Sequence, residues 1–142
     1  DVKDVYGEVN LDNALRLHAN TFKSVVLIND NSSFESIDLP YQAQFSSIND
    51  FLIDDYNNDG NKDILMAGNL FTSEVETTRN DASYGLILTG NGDGTFKAMS
   101  RKETGFYAPS DAKKLHLINL KDEQGIIVGN NNDLIQYFKR IE

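Results

Sequence analysis

The chain predicts an all-β fold built of short antiparallel strands, and three observations predict it. Short apolar runs rich in β-branched and aromatic residues recur along the sequence; Asn, Asp, Gly and Ser clusters punctuate them; and parts of the pattern repeat at a common spacing. The runs taken as strands are Ser24–Asn29, Phe34–Asp38, Ser47–Asp54, Asp63–Gly68, Tyr84–Thr89, Thr95–Ser100, Lys114–Asn119, Gly125–Gly129 and Leu134–Phe138. Residues 1–21 form a weakly patterned lead-in. There Leu11–Ala19 is the stretch that would make a short helix, capped near Asn10 or Asp12. Little helix is expected elsewhere.

At 142 residues the chain is one domain's worth of material, with 39% hydrophobic and 25% charged residues. A net charge of -9 argues against nucleic acid and against anionic membranes, both of which need a basic surface. The chain has no cysteine, which removes disulfides and thiol redox chemistry, and zinc would find only His18 and His116. No apolar run approaches the ~20 residues of a membrane-spanning helix. Asp1 opens no signal peptide, and the absence of an initial Met suggests a mature or trimmed piece of a longer protein.

The most specific local signal is Asp55-Tyr56-Asn57-Asn58-Asp59-Gly60-Asn61-Lys62-Asp63, which sets oxygen-bearing side chains at alternate positions of one loop. Calcium is a hard cation that takes six to eight oxygens at about 2.3–2.6 Å, and a tightly curled loop turns alternate residues inward. Asp55, Asn57, Asp59 and Asp63 would supply side-chain oxygens and Asn61 its main-chain carbonyl. Gly60 stands where the chain must turn sharply. An EF-hand would close this loop with a glutamate at its twelfth position, but Met66 is there. The flanks Phe51-Leu52-Ile53 and Ile64-Leu65-Met66 are strand-like, not helical. The plainer alternative is a solvated turn, which Asp, Asn and Gly also favour, yet three carboxylates so close would repel one another without a cation.

Self-comparison places Val26–Phe34 against Leu86–Phe96, and Ile64–Asn69 against Gly125–Asn130, both at a spacing of roughly sixty residues. Such a unit holds about four strands, a size compatible with the four-stranded antiparallel blade of a β-propeller carrying insertions such as Thr72–Ser83. The repeats divide residues 22–142 into a partial first unit (22–50), a unit holding the acidic loop (51–112) and a degenerate last unit (113–142). In the last, Asn119-Leu120-Lys121-Asp122-Glu123-Gln124 is short and carries a lysine, so no metal is expected there. Asn130-Asn131-Asn132-Asp133 reads as a hairpin turn.

With these motifs the chain resembles the FG-GAP or VCBS repeat family. Asp55–Asp63 followed by Ile64–Gly68 matches that family's metal loop and strand, and Gly90-Asn91-Gly92-Asp93-Gly94-Thr95-Phe96 matches its hairpin. The likeness covers about residues 22–138. Leu39–Phe45 and Asp81–Gly85 are also similar to segments of large repeat proteins of Bacteroidetes-type bacteria. The resemblance implies integrin-α-like propeller blades, calcium in the loop, and a non-catalytic module of a secreted or cell-surface protein that serves protein or glycan recognition or acts as a scaffold. Two departures matter: the first unit has Asn31-Ser32-Ser33 where the glycine-rich turn belongs, and the last lacks the metal loop.

The length allows a partial propeller of only two to three blades, the C-terminal portion of a longer one, so pairing between copies through uncovered blade faces is expected. The competing reading is a fragment of a carbohydrate-active propeller enzyme. No catalytic residue is assigned, since neither histidine accompanies a nucleophile motif. The strand aromatics Phe34, Phe51, Phe71, Phe96, Tyr137 and Phe138 are expected mainly in the core. Phe106-Tyr107 and Arg79-Asn80-Asp81, both in loops, are candidate contact points.

Overall fold

Nine antiparallel strands build three sheets in a computed structural model that describes residues 1–121 and 123–141. β1 (Val25–Asn29) and β2 (Phe34–Asp38) form a hairpin. β3 (Asp50–Asp54), β4 (Asp63–Ala67), β5 (Leu86–Gly90) and β6 (Phe96–Ala98) form a four-stranded meander in that order. β7 (Ala112–Leu120), β8 (Glu123–Asn130) and β9 (Gln136–Lys139) form a three-stranded one. The sheets do not close into a barrel or a ring among the described residues, so the blade architecture expected from the repeats is reached only as far as antiparallel sheets of two to four strands.

The middle sheet is a shared wall. All five residues of β4 are buried, because its two faces pack on different neighbours. Leu65, Ala67 and Ile87 face the last sheet, where they meet Ala112, Leu115, Ile126 and Val128 together with Phe106 and Ala108. Ile64, Met66 and Leu88 face the first hairpin and the segment that follows it, packing with Leu39, Ala43, Val26 and Phe96. The register Ile64↔Leu88 and Leu65↔Ile87 keeps each set on its own face. Each fully buried aliphatic side chain contributes about 2 kcal/mol through burial.

Polar links lock the middle and last sheets together. Asp50 of β3 accepts from the Leu115 amide at 2.8 Å and pairs with Lys114 at 2.9 Å. Just past β4, Asn69 is wholly buried: its Oδ1 accepts from the Ser46 hydroxyl (2.7 Å) and the Ser83 amide (3.1 Å), and its Nδ2 donates to the carbonyls of Ser83 (2.9 Å) and Pro109 (3.1 Å). Asn49 Nδ2 bridges the carbonyls of Asn69 (2.8 Å) and Ala112 (2.7 Å).

Several expectations are corrected. The lead-in helix is not at Leu11–Ala19; instead α1 (Val2–Tyr6) and α2 (Glu8–Leu11) precede it. Asp1 and Asp4 make a capping box that starts α1, whereas Leu15 and Leu17 are exposed and offer an apolar face with nothing to pack on. A further short helix, α3 (Arg101–Thr104), was not expected; Ser100 and Glu103 form its capping box. Phe34, Phe51 and Tyr137 are 67%, 55% and 45% exposed; Phe34 and Tyr137 sit on outer sheet faces, whereas Phe51 shares the face of its partner Met66 but stands on the edge strand β3, where the first hairpin covers it incompletely. Phe106, read as a contact residue, is instead core and packs edge-on against Phe138 at 4.8 Å.

Arg79 lies over the Phe71 ring and pairs with Asp81 at 2.8 Å, and Asn80 bridges to Leu70, so that loop is tied to its own base. β7 runs to Leu120 and β8 resumes at Glu123; Asp122, one residue of the degenerate loop, lies outside the described residues, as does Glu142. No helix among the described residues is long and apolar enough to cross a membrane.

Candidate metal centre

The acidic loop joins β3 to β4, two strands in register from Asp50↔Ala67 to Asp54↔Asp63. Strands flank it on both sides. Its curl is made by side-chain oxygens that accept from the loop's own amides. Asp55 takes the amides of Asp59 (3.1 Å) and Gly60 (2.8 Å), Asn57 Oδ1 takes that of Asp59 (3.1 Å), and Asp59 Oδ1 takes that of Asn61 (2.8 Å). Asn58 and Gly60 have φ of 58° and 88°, the left-handed conformations the tight turn requires. The Asn61 amide, and behind it Asn57 Nδ2 at 2.8 Å, hold the Asp59 carboxyl below its ordinary pKa, so it is ionised and available as an acceptor at neutral pH.

Asp63 behaves differently from the other acids. It is fully buried, and its two oxygens accept from the Tyr56 amide (2.8 Å) inside the loop and the Gly90 amide (2.9 Å) at the end of β5. It thereby joins the loop to the next hairpin. That hairpin lies directly against the loop: a side chain on Gly90 would overlap the Lys62 carbonyl, and one on Gly92 would lie 2.7 Å from Asn61 Oδ1. The two motifs singled out in the sequence are one structural unit, and the glycines of the second are there to admit the first.

On the other side the last sheet reaches over. Arg140, just beyond β9, donates from Nη1 to Asp54 Oδ2 at 2.8 Å and from Nη2 to the Asp55 carbonyl, with its guanidinium 5.6 Å from the centre of the Tyr56 ring. Burial pushes the Tyr56 hydroxyl up to about 12, with the Asp54 charge adding to it, so this phenol stays neutral.

As a donor set the loop suits a hard cation: carboxylate oxygens from Asp55, Asp59 and Asp63, an amide oxygen from Asn57 and the Asn61 carbonyl. Among the described residues no three His, Cys, Asp or Glu side chains come together as a group that could hold a metal ion. Each Asp63 oxygen already accepts one amide and retains one lone pair for coordination. The structure thus brings Asp55, Asn57, Asp59 and Asn61 into one curl and anchors Asp63 at its base. Gly90 and Gly92 carried a sequence signal through the glycine spacing; Arg140 carried none. His18 lies in the irregular lead-in and His116 is exposed on β7. No family model, curated protein or solved structure matches this chain, so the resemblance rests on its own motifs.

Proposed function

We propose that the chain is a calcium-binding repeat module of the FG-GAP/VCBS type from a secreted or cell-surface protein, non-catalytic, and used for protein or glycan recognition or as a scaffold. The observation that carries this reading is the acidic loop itself, curled by its own Asp and Asn oxygens between two antiparallel strands and seated on the Gly-Asn-Gly hairpin. The order of elements supports it as well. The β1-β2 hairpin resembles β5-β6 as an apolar strand, a polar turn and a second strand opened by phenylalanine (Phe34, Phe96), and β7-β8-β9 follows the order of β3-β4-β5.

Calcium in this loop orders a turn. It replaces the mutual repulsion of Asp55, Asp59 and Asp63 with shared coordination, and so fixes the strands on either side. Extracellular modules bind calcium with Kd of roughly 10⁻⁴–10⁻³ M, which matches the medium outside cells and not the cytosol. Calorimetric titration of metal-stripped protein with calcium is expected to show one site in that range, abolished in Asp59→Ala and Asp55→Ala. A native chain that takes up no calcium at millimolar concentrations overturns the reading.

A further inference from the structure

Arg140 stands at the far end of the chain from the loop it holds. Its own amide donates to the Gln124 carbonyl at 2.8 Å, so its backbone still belongs to the β8-β9 pair. Its side chain leaves that sheet and grips three consecutive residues of the neighbouring one: the Asp54 carboxylate, the Asp55 carbonyl and the Tyr56 ring. Nη1 also donates to Gln124 Oε1 at 2.9 Å, which holds the guanidinium in place from its own sheet.

Both members of the Arg140–Asp54 pair are only partly exposed, at 23% and 33%, so the bond is less screened than a surface ion pair. Asp54 is thereby committed to the arginine and not to the loop, although it is the register partner of Asp63. The grip falls on Asp55, the residue with which the curl begins.

We infer that Arg140 couples the acidic loop to the docking of the last sheet, so that calcium binding tightens β9 onto the molecule and the docked β9 in turn raises calcium affinity. The inference rests on the calcium reading above. A cation fixes the first residue of the curl from inside, while the guanidinium fixes it from outside; each orders atoms that the other needs, and the resulting linkage is reciprocal. Arg140 is a positioning residue, since it touches the peptide carbonyl of Asp55 and not the metal.

Amide hydrogen exchange of the full chain, with calcium and with chelator, tests this directly. In the native protein calcium is expected to slow exchange in residues 50–67 and also in residues 136–139. In Arg140→Ala it is expected to slow only the first segment, and calcium affinity is expected to fall about fivefold or more, the lower end of typical coupling. Arg140→Lys keeps the charge but not the fork that reaches Asp54, Gln124 and Asp55 together, so it is expected to behave like the alanine variant. Protection of the loop without protection of β9 in the native chain, or β9 protection that survives in Arg140→Ala, overturns the coupling and leaves the calcium site standing. Calcium that protects neither segment overturns both.

Discussion

At the scale of single residues, some acids of this chain curl the loop and others join sheets. Asp50 belongs to the second kind. Burial alone would raise its pKa, but the Leu115 amide and the Lys114 ammonium outweigh that and hold it below the ordinary 3.8. A depressed folded-state pKa gives stability that is fully present above the unfolded value and is lost as pH falls through the folded one, so the loss from this contact belongs below about pH 4. Denaturant midpoints measured at pH 7 and pH 3 are therefore expected to fall less between the two in Asp50→Asn than in the native chain. An equal fall in both would show that Asp50 does not contribute. The sequence marked Asp55, Asn57, Asp59, Asn61 and Asp63 by their spacing. It did not mark Asp50, Asn69 or Arg140, whose partners lie on other sheets and leave no local pattern.

At the scale of elements, the strands were legible because period-two patterning and Asn/Gly punctuation are local properties. Their ends moved by a residue or more, as with β3, which begins at Asp50 and not Ser47. The short helices were misplaced for a related reason: with no tertiary face to pack on, capping alone decided them, and the Ser100–Glu103 box was a readable signal that strand patterning obscured. Phe34 and Phe51 are exposed against expectation because burial depends on which sheet faces are covered and how far the cover reaches to the edge strand β3, properties of the assembled layers. The contact between the loop and the β5-β6 hairpin makes its own prediction. Gly90→Ala forces a methyl group against the Lys62 carbonyl and is expected to cost about 1–3 kcal/mol and to weaken calcium binding, read by thermal unfolding and titration. An unaltered melting temperature would contradict the packing.

At the scale of the whole molecule, the chain is three antiparallel sheets in layers, with the middle one buried on both faces and carrying the loop at one end and the Asn69 hub at the other. Propeller blades are expected from the repeat spacing, but spacing reports how many strands make a unit and not how the units are arranged. With two to four strands per sheet the layers stand without closing. In the proposed reading calcium orders the turn between β3 and β4, the latter being the strand on which both cores converge. Ligand that binds the folded state alone stabilises it by about 2.7 kcal/mol at a hundredfold excess over Kd, a melting shift on the order of 8 °C for a chain of this size. Thermal unfolding in saturating calcium against excess chelator is the most direct measurement. A rise of that order is expected in the native chain and none in Asp59→Ala; superimposable native curves with and without calcium would contradict the calcium site.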